Sequence, residues 1–382
     1  MDFNLTEEQR AIRDAVRDMA EKEIRPKIME WDNPGVFHHE VIPTMAELGL
    51  FGILFPESFG GAGLGYVEYV LILEELARVD PSVALTIAAH NSLCTNHIYL
   101  FGTDEQKNQY LPDLVSGKHI GAWALTEPGS GSDSAGMRTV AVRDGDSWIL
   151  NGSKNFITHA SVGKIAVVLA VTRPEDHHHG ISAFIVDLDE PGVIRGKKED
   201  KLGMRSSDTS QLHFEDCRIP ADRLLGNENK GFQSAMAVLD GGRISIASLA
   251  VGLARGSFEH ALKYSQERKQ FNQPIFEFQA VHFPIADMAT QIEAAHLLTM
   301  QAACLKDEGK RTTLESSMAK LYAGDVGVWV TEKAVQIFGG YGFIKDYPVE
   351  KYFRDVKLCT IGEGTAEIQR MVIARQLQKE LG

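Results

Sequence analysis

The spacing of apolar residues changes twice along this chain, and that change limits its architecture more than any other feature. Up to about residue 120 apolar positions recur with helical spacing, as in Tyr66 to Arg78 and in the run from Pro81 to Leu100, with the Gly-rich segment Phe59-Gly60-Gly61-Ala62-Gly63 between helices. From about 121 to 230 short β-branched runs take over: Trp148 to Leu150, Lys164 to Val171, Ile181 to Val186 and Gln211 to Phe214. Asn151-Gly152, followed by Asn155-Phe156-Ile157, is predicted to turn a hairpin, since Asn-Gly supplies the positive φ angles of a type I′ turn. Beyond about 231 helical patterns return in Ser234 to Gln270, Gln279 to Asp307 and Thr313 to Phe338. The expected class is α+β, with a helical region at 1–120, a β module at 121–230 and a helical region at 231–382.

A net charge of -13 with Lys and Arg dispersed argues against a nucleic-acid surface. The four cysteines, Cys94, Cys217, Cys304 and Cys359, are far apart and form no C-x-x-C pair, so neither a zinc site nor a disulfide framework is indicated, and a reducing compartment fits. His177-His178-His179 lies in a polar stretch where consecutive side chains point in different directions, and no metal is assigned. The N-terminus is predicted to enter a helix through a capping box of Thr6 and Gln9, without a targeting segment, and stretches such as Val83 to Ala89 and Ile165 to Val171 are too short to span a bilayer. A soluble chain without membrane insertion is expected, in a bacterial cytoplasm or, for a processed eukaryotic chain, a mitochondrial matrix.

The strongest chemical signal is Ile361-Gly362-Glu363-Gly364-Thr365, after Gln336-Ile337-Phe338-Gly339-Gly340-Tyr341-Gly342-Phe343. A carboxylate between glycines can be approached closely by a ligand, and desolvation would raise its pKa as a general base requires, so Glu363 is the candidate catalytic residue. Thr365 can cap the last helix, with Glu367 in its first turn, which puts unpaired backbone N–H groups beside Glu363. A surface turn with a capping role is the competing reading. A second block, Trp123-Ala124-Leu125-Thr126-Glu127-Pro128-Gly129-Ser130-Gly131-Ser132-Asp133, is rich in hydroxyls and backbone donors but is neither a P-loop nor a Rossmann fingerprint. Alone it reads equally as a polar interdomain loop.

Together, and in this order, that block, Phe156-Ile157-Thr158-His159, Glu267-Arg268-Lys269-Gln270-Phe271 and both C-terminal segments resemble the acyl-CoA dehydrogenase pattern over essentially the full length. The resemblance implies an N-terminal helical domain, a central β-barrel-like domain and a C-terminal four-helix bundle, binding FAD between the β module and the C-terminal helices. It implies that Glu363 takes the α-proton of an acyl-CoA while a hydride leaves the β-carbon for the flavin, the thioester carbonyl being held by the Glu363 main-chain N–H. In relatives such as isovaleryl-CoA dehydrogenases the base stands instead at the position of Gly242, which has no side chain here. By the same resemblance Leu125, Thr126, Ser132, Phe156 and Thr158 contact the flavin or its diphosphate, and Thr365 and Glu367 border it. Arg268, Phe271 and Gln279, with Gln336, Gly339 and Gly340, reach FAD from a neighbouring subunit, which implies an oligomer, expected to be a homotetramer. Ser132, Asp240, Arg243 and Gly364 would contact the acyl-CoA. Without the resemblance, Arg243 reads as a helix-surface charge.

Two departures from the commonest family pattern stand out. Phe156 replaces a Trp, and Gly362 replaces a Tyr before the catalytic Glu, which would widen the acyl pocket and favour short or branched chains. The resemblance implies fatty-acid β-oxidation or branched-chain amino-acid breakdown, with electron-transfer flavoprotein as acceptor. An oxidase using oxygen and an inactive CoA-binding homologue are the alternatives.

Overall fold

The computed structural model describes residues 4–381, and the chain adopts the predicted order of helices, sheet and helices. The N-terminal part holds α1 (Glu7–Met19), the short α2 (Ile28–Asp32) and α3 (Ile42–Glu47), then α4 (Tyr66–Val79), α5 (Pro81–Ala89), α6 (Asn96–Phe101) and α7 (Asp104–Val115). The capping box forms: Thr6 Oγ1 accepts from Gln9 N at 3.1 Å while Gln9 Oε1 accepts from Thr6 N at 3.0 Å. α5 and α6 are a single apolar run joined by a π-helical turn, His90–Thr95, all of it buried.

The middle of the chain forms an eight-stranded sheet from β1 (Gly121–Ala124), β2 (Val140–Asp144), β3 (Ser147–Thr158), β4 (Ile165–Val171), β5 (Ile181–Asp187), β6 (Val193–Arg195), β7 (Thr209–Pro220) and β8 (Leu224–Leu225). The order is β6-β7-β3-β2-β4-β5-β8, with β1 parallel to β4. β4 is apolar throughout because both its faces are covered. Ile165, Val167 and Leu169 join Leu93, Leu111 and Leu114 of the helices, while Ala166, Val168 and Ala170 join Trp148, Phe184 and Phe214 in a core that the sheet itself encloses.

One expectation fails here. Asn151-Gly152 does not turn a hairpin; β3 runs through it as a bulge opposite β7, where the register shifts between Leu150 and Gly152. Asn151 pairs across the strands with Asp216, accepting from its N–H at 2.8 Å and donating to its carboxylate at 3.0 Å, and Gly152 is needed because a Cβ would lie 2.6 Å from Thr139 Cα. The chain reverses instead at Gly145 (φ +60°) and Asp146, between β2 and β3.

The C-terminal helices are α8 (Gly231–Glu267), α9 (Gln279–Asp307), α10 (Thr313–Phe338), α11 (Val349–Asp355) and α12 (Ala366–Leu381), with a hairpin of β9 (Lys269–Gln270) and β10 (Gln273–Pro274) between α8 and α9. α9 and α10 have the predicted ends, whereas α8 stops at Glu267 because the hairpin takes up the next residues. α8, α9, α10 and α12 pack as the bundle. An 18-residue stretch of α8 is apolar enough to cross a membrane by composition, but 83% of it is buried inside this fold.

Two buried features make stability predictions. The Lys351 ammonium lies between Asp80 (3.1 Å) and Asp355 (2.6 Å), all three fully buried, which ties α11 to the cap of α5. Replacing Lys351 with Met strands two carboxylates, and chemical denaturation is expected to show a loss of about 3–5 kcal/mol; an unchanged midpoint would refute the role. Separately, burial holds His38, His90 and His97 neutral down to about pH 3. In the unfolded chain such groups protonate near ~6.5, so unfolded protein binds more protons as pH falls. Their contribution is present above about 6.5 and is lost progressively toward about 3. A urea midpoint that stays flat as pH falls below about 6 would contradict this.

Candidate active site

Glu363 sits in the turn before α12 in a left-handed conformation, φ +53°, followed by Gly364 at φ +92°. A non-glycine residue held there is uncommon, and it aims the side chain inward instead of along the surface. The carboxyl rests against α8 at Gly242, where a Cβ would lie 1.9 Å from Glu363 Oε2 and 3.2 Å from Leu93 Cδ2. The two positions at which the resemblance would allow a base therefore share one space, and only one of them can carry a side chain.

The residue as a whole is partly exposed, but Oε2 is buried and has no hydrogen-bond partner. Burial pushes the carboxyl up to about 7, against the opposing charges of Lys320 and Arg243. An unpaired carboxyl that is half ionised near neutrality is the property a general base needs, and a surface capping turn would not produce it. Thr365 does cap α12, accepting from Ile368 N at 3.3 Å, while Glu367 is exposed in its first turn. Arg243 is not a surface charge: it is buried on α8, ion-paired to Asp240, with its Nε unpartnered. Thr313 donates to the other Asp240 oxygen at 2.7 Å, tying the start of α10 to this pair.

Apart from Thr365 and Glu367 at the start of α12, the residues expected at the flavin lie in two regions. Leu125 and Thr126 follow β1, and the Thr126 carbonyl accepts from Asn155 N at 2.8 Å, which brings them beside Phe156 and Thr158 at the end of β3. Phe156 occupies a register shift at φ +56° and is 63% exposed, so a flat apolar ring stands open near two partly exposed threonines. Ser132 is exposed in the loop beyond. Buried Lys154 fixes this loop by donating to Leu125 O (3.1 Å) and Glu127 (2.8 Å), and Glu127 also accepts from the Arg138 and Thr139 N–H groups.

In the second region Arg268, Gly339 and Gly340 line a cleft of about 530 Å³ with Tyr264, Ile275 and Tyr341, and none of the residues of the first region lines it. Arg268 lies over the Tyr341 ring at 5.5 Å. Phe271 and Asn272 form the tight turn of the β9–β10 hairpin at φ +51° and +65°, leaving the Phe271 ring 88% exposed. Gln279 and Gln336 are exposed as well, and neither lines the cleft. Open rings, hydroxyls and a basic, glycine-edged cleft are a donor set that fits a dinucleotide carrying an aromatic ring system.

Lys320 and Gln369 also belong to the site, and motif reading missed them. Lys320 Nζ donates to Gly364 O at 2.6 Å, and Gln369 Nε2 donates to the Glu363 and Gly364 carbonyls at 3.2 and 3.0 Å. A signal for Lys320 was present: it falls on the buried stripe of α10 with Ser316, Ser317, Ala323, Gly324 and Gly327, where a lysine is out of place unless it has a partner.

Known proteins match this chain along nearly its whole length. Residues 6–118, 122–217 and 229–378 match the N-terminal, middle and C-terminal domains of acyl-CoA dehydrogenase. The short-chain specific acyl-CoA dehydrogenase of Megasphaera elsdenii is 45% identical over 376 residues, 97% of this chain and 98% of that one. The solved structure of butyryl-CoA dehydrogenase from the same organism superposes with a TM-score of 0.97 at 45% identity, covering 99% of this chain and 100% of the other. The caffeyl-CoA reductase-Etf complex subunit of Acetobacterium woodii is 46% identical over 376 residues, 98% of this chain and 99% of that one. With all three domain patterns matched in order and relatives 45% and 46% identical over nearly the full length, the chain belongs to the acyl-CoA dehydrogenase family of flavoproteins.

Proposed function

We propose that this protein binds FAD and dehydrogenates short-chain acyl-CoA thioesters to 2-enoyl-CoA, with Glu363 as the base. The observation that carries the reading is the Glu363 carboxyl itself, desolvated, unpartnered at Oε2 and pressed against Gly242. Oε2 is free to take the α-proton. The Glu363 main-chain N–H would donate to the thioester carbonyl, stabilising the charge that develops as that proton leaves. The chemistry supplied by FAD when bound is acceptance of the hydride from the β-carbon.

Leu125, Thr126, Ser132, Phe156 and Thr158 would hold the cofactor, the threonines supplying hydroxyls and Phe156 an exposed aromatic ring, with Thr365 and Glu367 also contributing. The separate cleft at Arg268, Gly339 and Gly340, and the exposure of Phe271, Gln279 and Gln336, support a contribution from these residues to a neighbouring subunit's cofactor, hence an oligomer, which the family resemblance makes a homotetramer. Buried Arg243, braced by Asp240, would meet the substrate's CoA arm along with Ser132, and Gly364 would lie against the thioester. Electron-transfer flavoprotein as acceptor is supported by the Etf-complex relative.

In an anaerobic absorbance assay, butyryl-CoA is expected to bleach the oxidised-flavin band of the wild type, and Glu363→Gln to slow bleaching at least about 100-fold while retaining flavin. The wild-type rate should fall as pH drops below about 7, because protonated Glu363 cannot accept a proton. Bleaching by Glu363→Gln at the wild-type rate would remove Glu363 from the mechanism.

The short-chain reading is supported by the short-chain specific relatives and by Gly362, which puts no side chain directly before the base. Butyryl-CoA and isobutyryl-CoA are expected to exceed octanoyl-CoA in kcat/KM by about tenfold or more. A preference for octanoyl-CoA would sink the short-chain assignment.

A further inference from the structure

The Glu363–Gly364 turn is held from below by two side chains that touch no part of the carboxyl they support. Lys320 is 1% exposed, and its Nζ donates to Gly364 O. Gln369 is fully buried on α12 and donates to both carbonyls of the turn. One turn along α10 from Lys320, a Cβ on Gly324 would lie 3.1 Å from Cys359 O, so α10 also packs tightly on the segment leading into the base. The left-handed conformation of Glu363, unfavourable for a residue with a side chain, thus has both its own carbonyl and the next one anchored.

We propose that Lys320 is a positioning residue for the reaction: its ammonium, together with the Gln369 carboxamide, fixes the Glu363–Gly364 turn in the conformation that lays the carboxyl against Gly242, and its charge keeps that carboxyl ionisable. The inference rests on the reading of Glu363 as the base. Electrostatics fits the geometry. The charged groups facing Glu363 are Lys320 from α10 and Arg243 from α8, the latter shared with Asp240, and the Tyr69 phenol faces it from α4. Lys320 in turn faces Cys359, Glu363, Arg243 and Asp325. Burial lowers Lys320 and raises Glu363, and each of the two charges favours the ionised form of the other. Arg243 has Asp240 as an ion-pair partner, whereas the bonded partner of the Lys320 ammonium is a neutral carbonyl, which leaves its charge more available to Glu363.

The test compares wild type, Glu363→Gln, Lys320→Met, Lys320→Gln and Gln369→Leu as flavin-loaded proteins. Two quantities are read: the anaerobic single-turnover bleaching rate with butyryl-CoA across pH, and the protonation midpoint of the Glu363 carboxyl without substrate. The midpoint comes from the infrared band that disappears in Glu363→Gln. Lys320→Met should lose both support and charge, with the rate near neutrality down about tenfold or more and the midpoint up by about one unit. Lys320→Gln keeps a donor for Gly364 O, so its midpoint should rise while the rate recovers at higher pH. Gln369→Leu should slow bleaching without moving the midpoint, which also covers the case in which Lys320→Met fails to fold.

Glu363→Gln inert with Lys320→Gln at the wild-type rate and midpoint overturns the inference and leaves Glu363 as the base. Glu363→Gln bleaching at the wild-type rate overturns both. A uniform rate loss in Lys320→Gln with an unmoved midpoint would mark a merely structural lysine and also overturns it.

Discussion

The close approach that other elements make to α8 is the constraint on which the rest of the fold depends. A Cβ at Gly252 would lie 2.3 Å from Glu74 O and one at Gly256 would lie 2.2 Å from Arg78 O, so α8 and α4 meet at backbone distance. That contact joins the N-terminal helices to the C-terminal bundle. It is flanked by ion pairs that need the same closeness, with Glu74 bound to Arg255 and His296, and Arg78 to Glu75, Glu21 and Glu259. Further toward its N-terminus the same helix presents Gly242, and there the space left by the missing side chain admits the Glu363 carboxyl. Glycines that seat helices and the glycine that seats the base are successive uses of one helix.

Two carboxyls that burial raises, Asp355 and Glu363, differ in their partners and in their exposure. Asp355 is raised to about 6 by burial, yet it has Lys351 and the Met204 N–H as partners and lies in the packed junction of α5 and α11. Glu363 is raised by the same cause but has an oxygen with no partner, in a residue that is partly open. Asp355, with both oxygens bonded, holds that junction; Glu363 combines an unpaired oxygen with partial opening, whereas Asp80 and Asp32 also leave one oxygen unpaired but are closed inside the packed fold.

The sequence made the long elements legible because their signals are redundant: α9 and α10 were placed to their terminal residues by periodicity over many turns. Asn151-Gly152 was misread because a two-residue signal cannot reveal that β7 runs past both halves of β3, and tertiary pairing decided the outcome. Glu363 was legible through its flanking glycines, and Asp240 and Arg243 only through family resemblance. That Arg243 is buried follows from the packing of α8, which local spacing does not show. Lys320 and Lys154 escaped because they act on main-chain carbonyls or a loop carboxylate far away in sequence, and Gln369 because its partners are main-chain carbonyls, and such contacts leave no motif.

The two ends of the proposed substrate site are nonetheless linked through one rigid element. Thr313 at the start of α10 bonds Asp240, which braces Arg243, and Lys320 on the same helix bonds the carbonyl beside Glu363. Seven residues of α-helix separate those contacts by about 10 Å. The spacing between the arginine and the base is therefore held twice, once along α8, where Gly242 and Arg243 are neighbours, and once along α10. A reaction that needs a proton acceptor placed against a carbon with a tolerance of about 0.5 Å gains from that duplication, because neither helix can shift without straining the other.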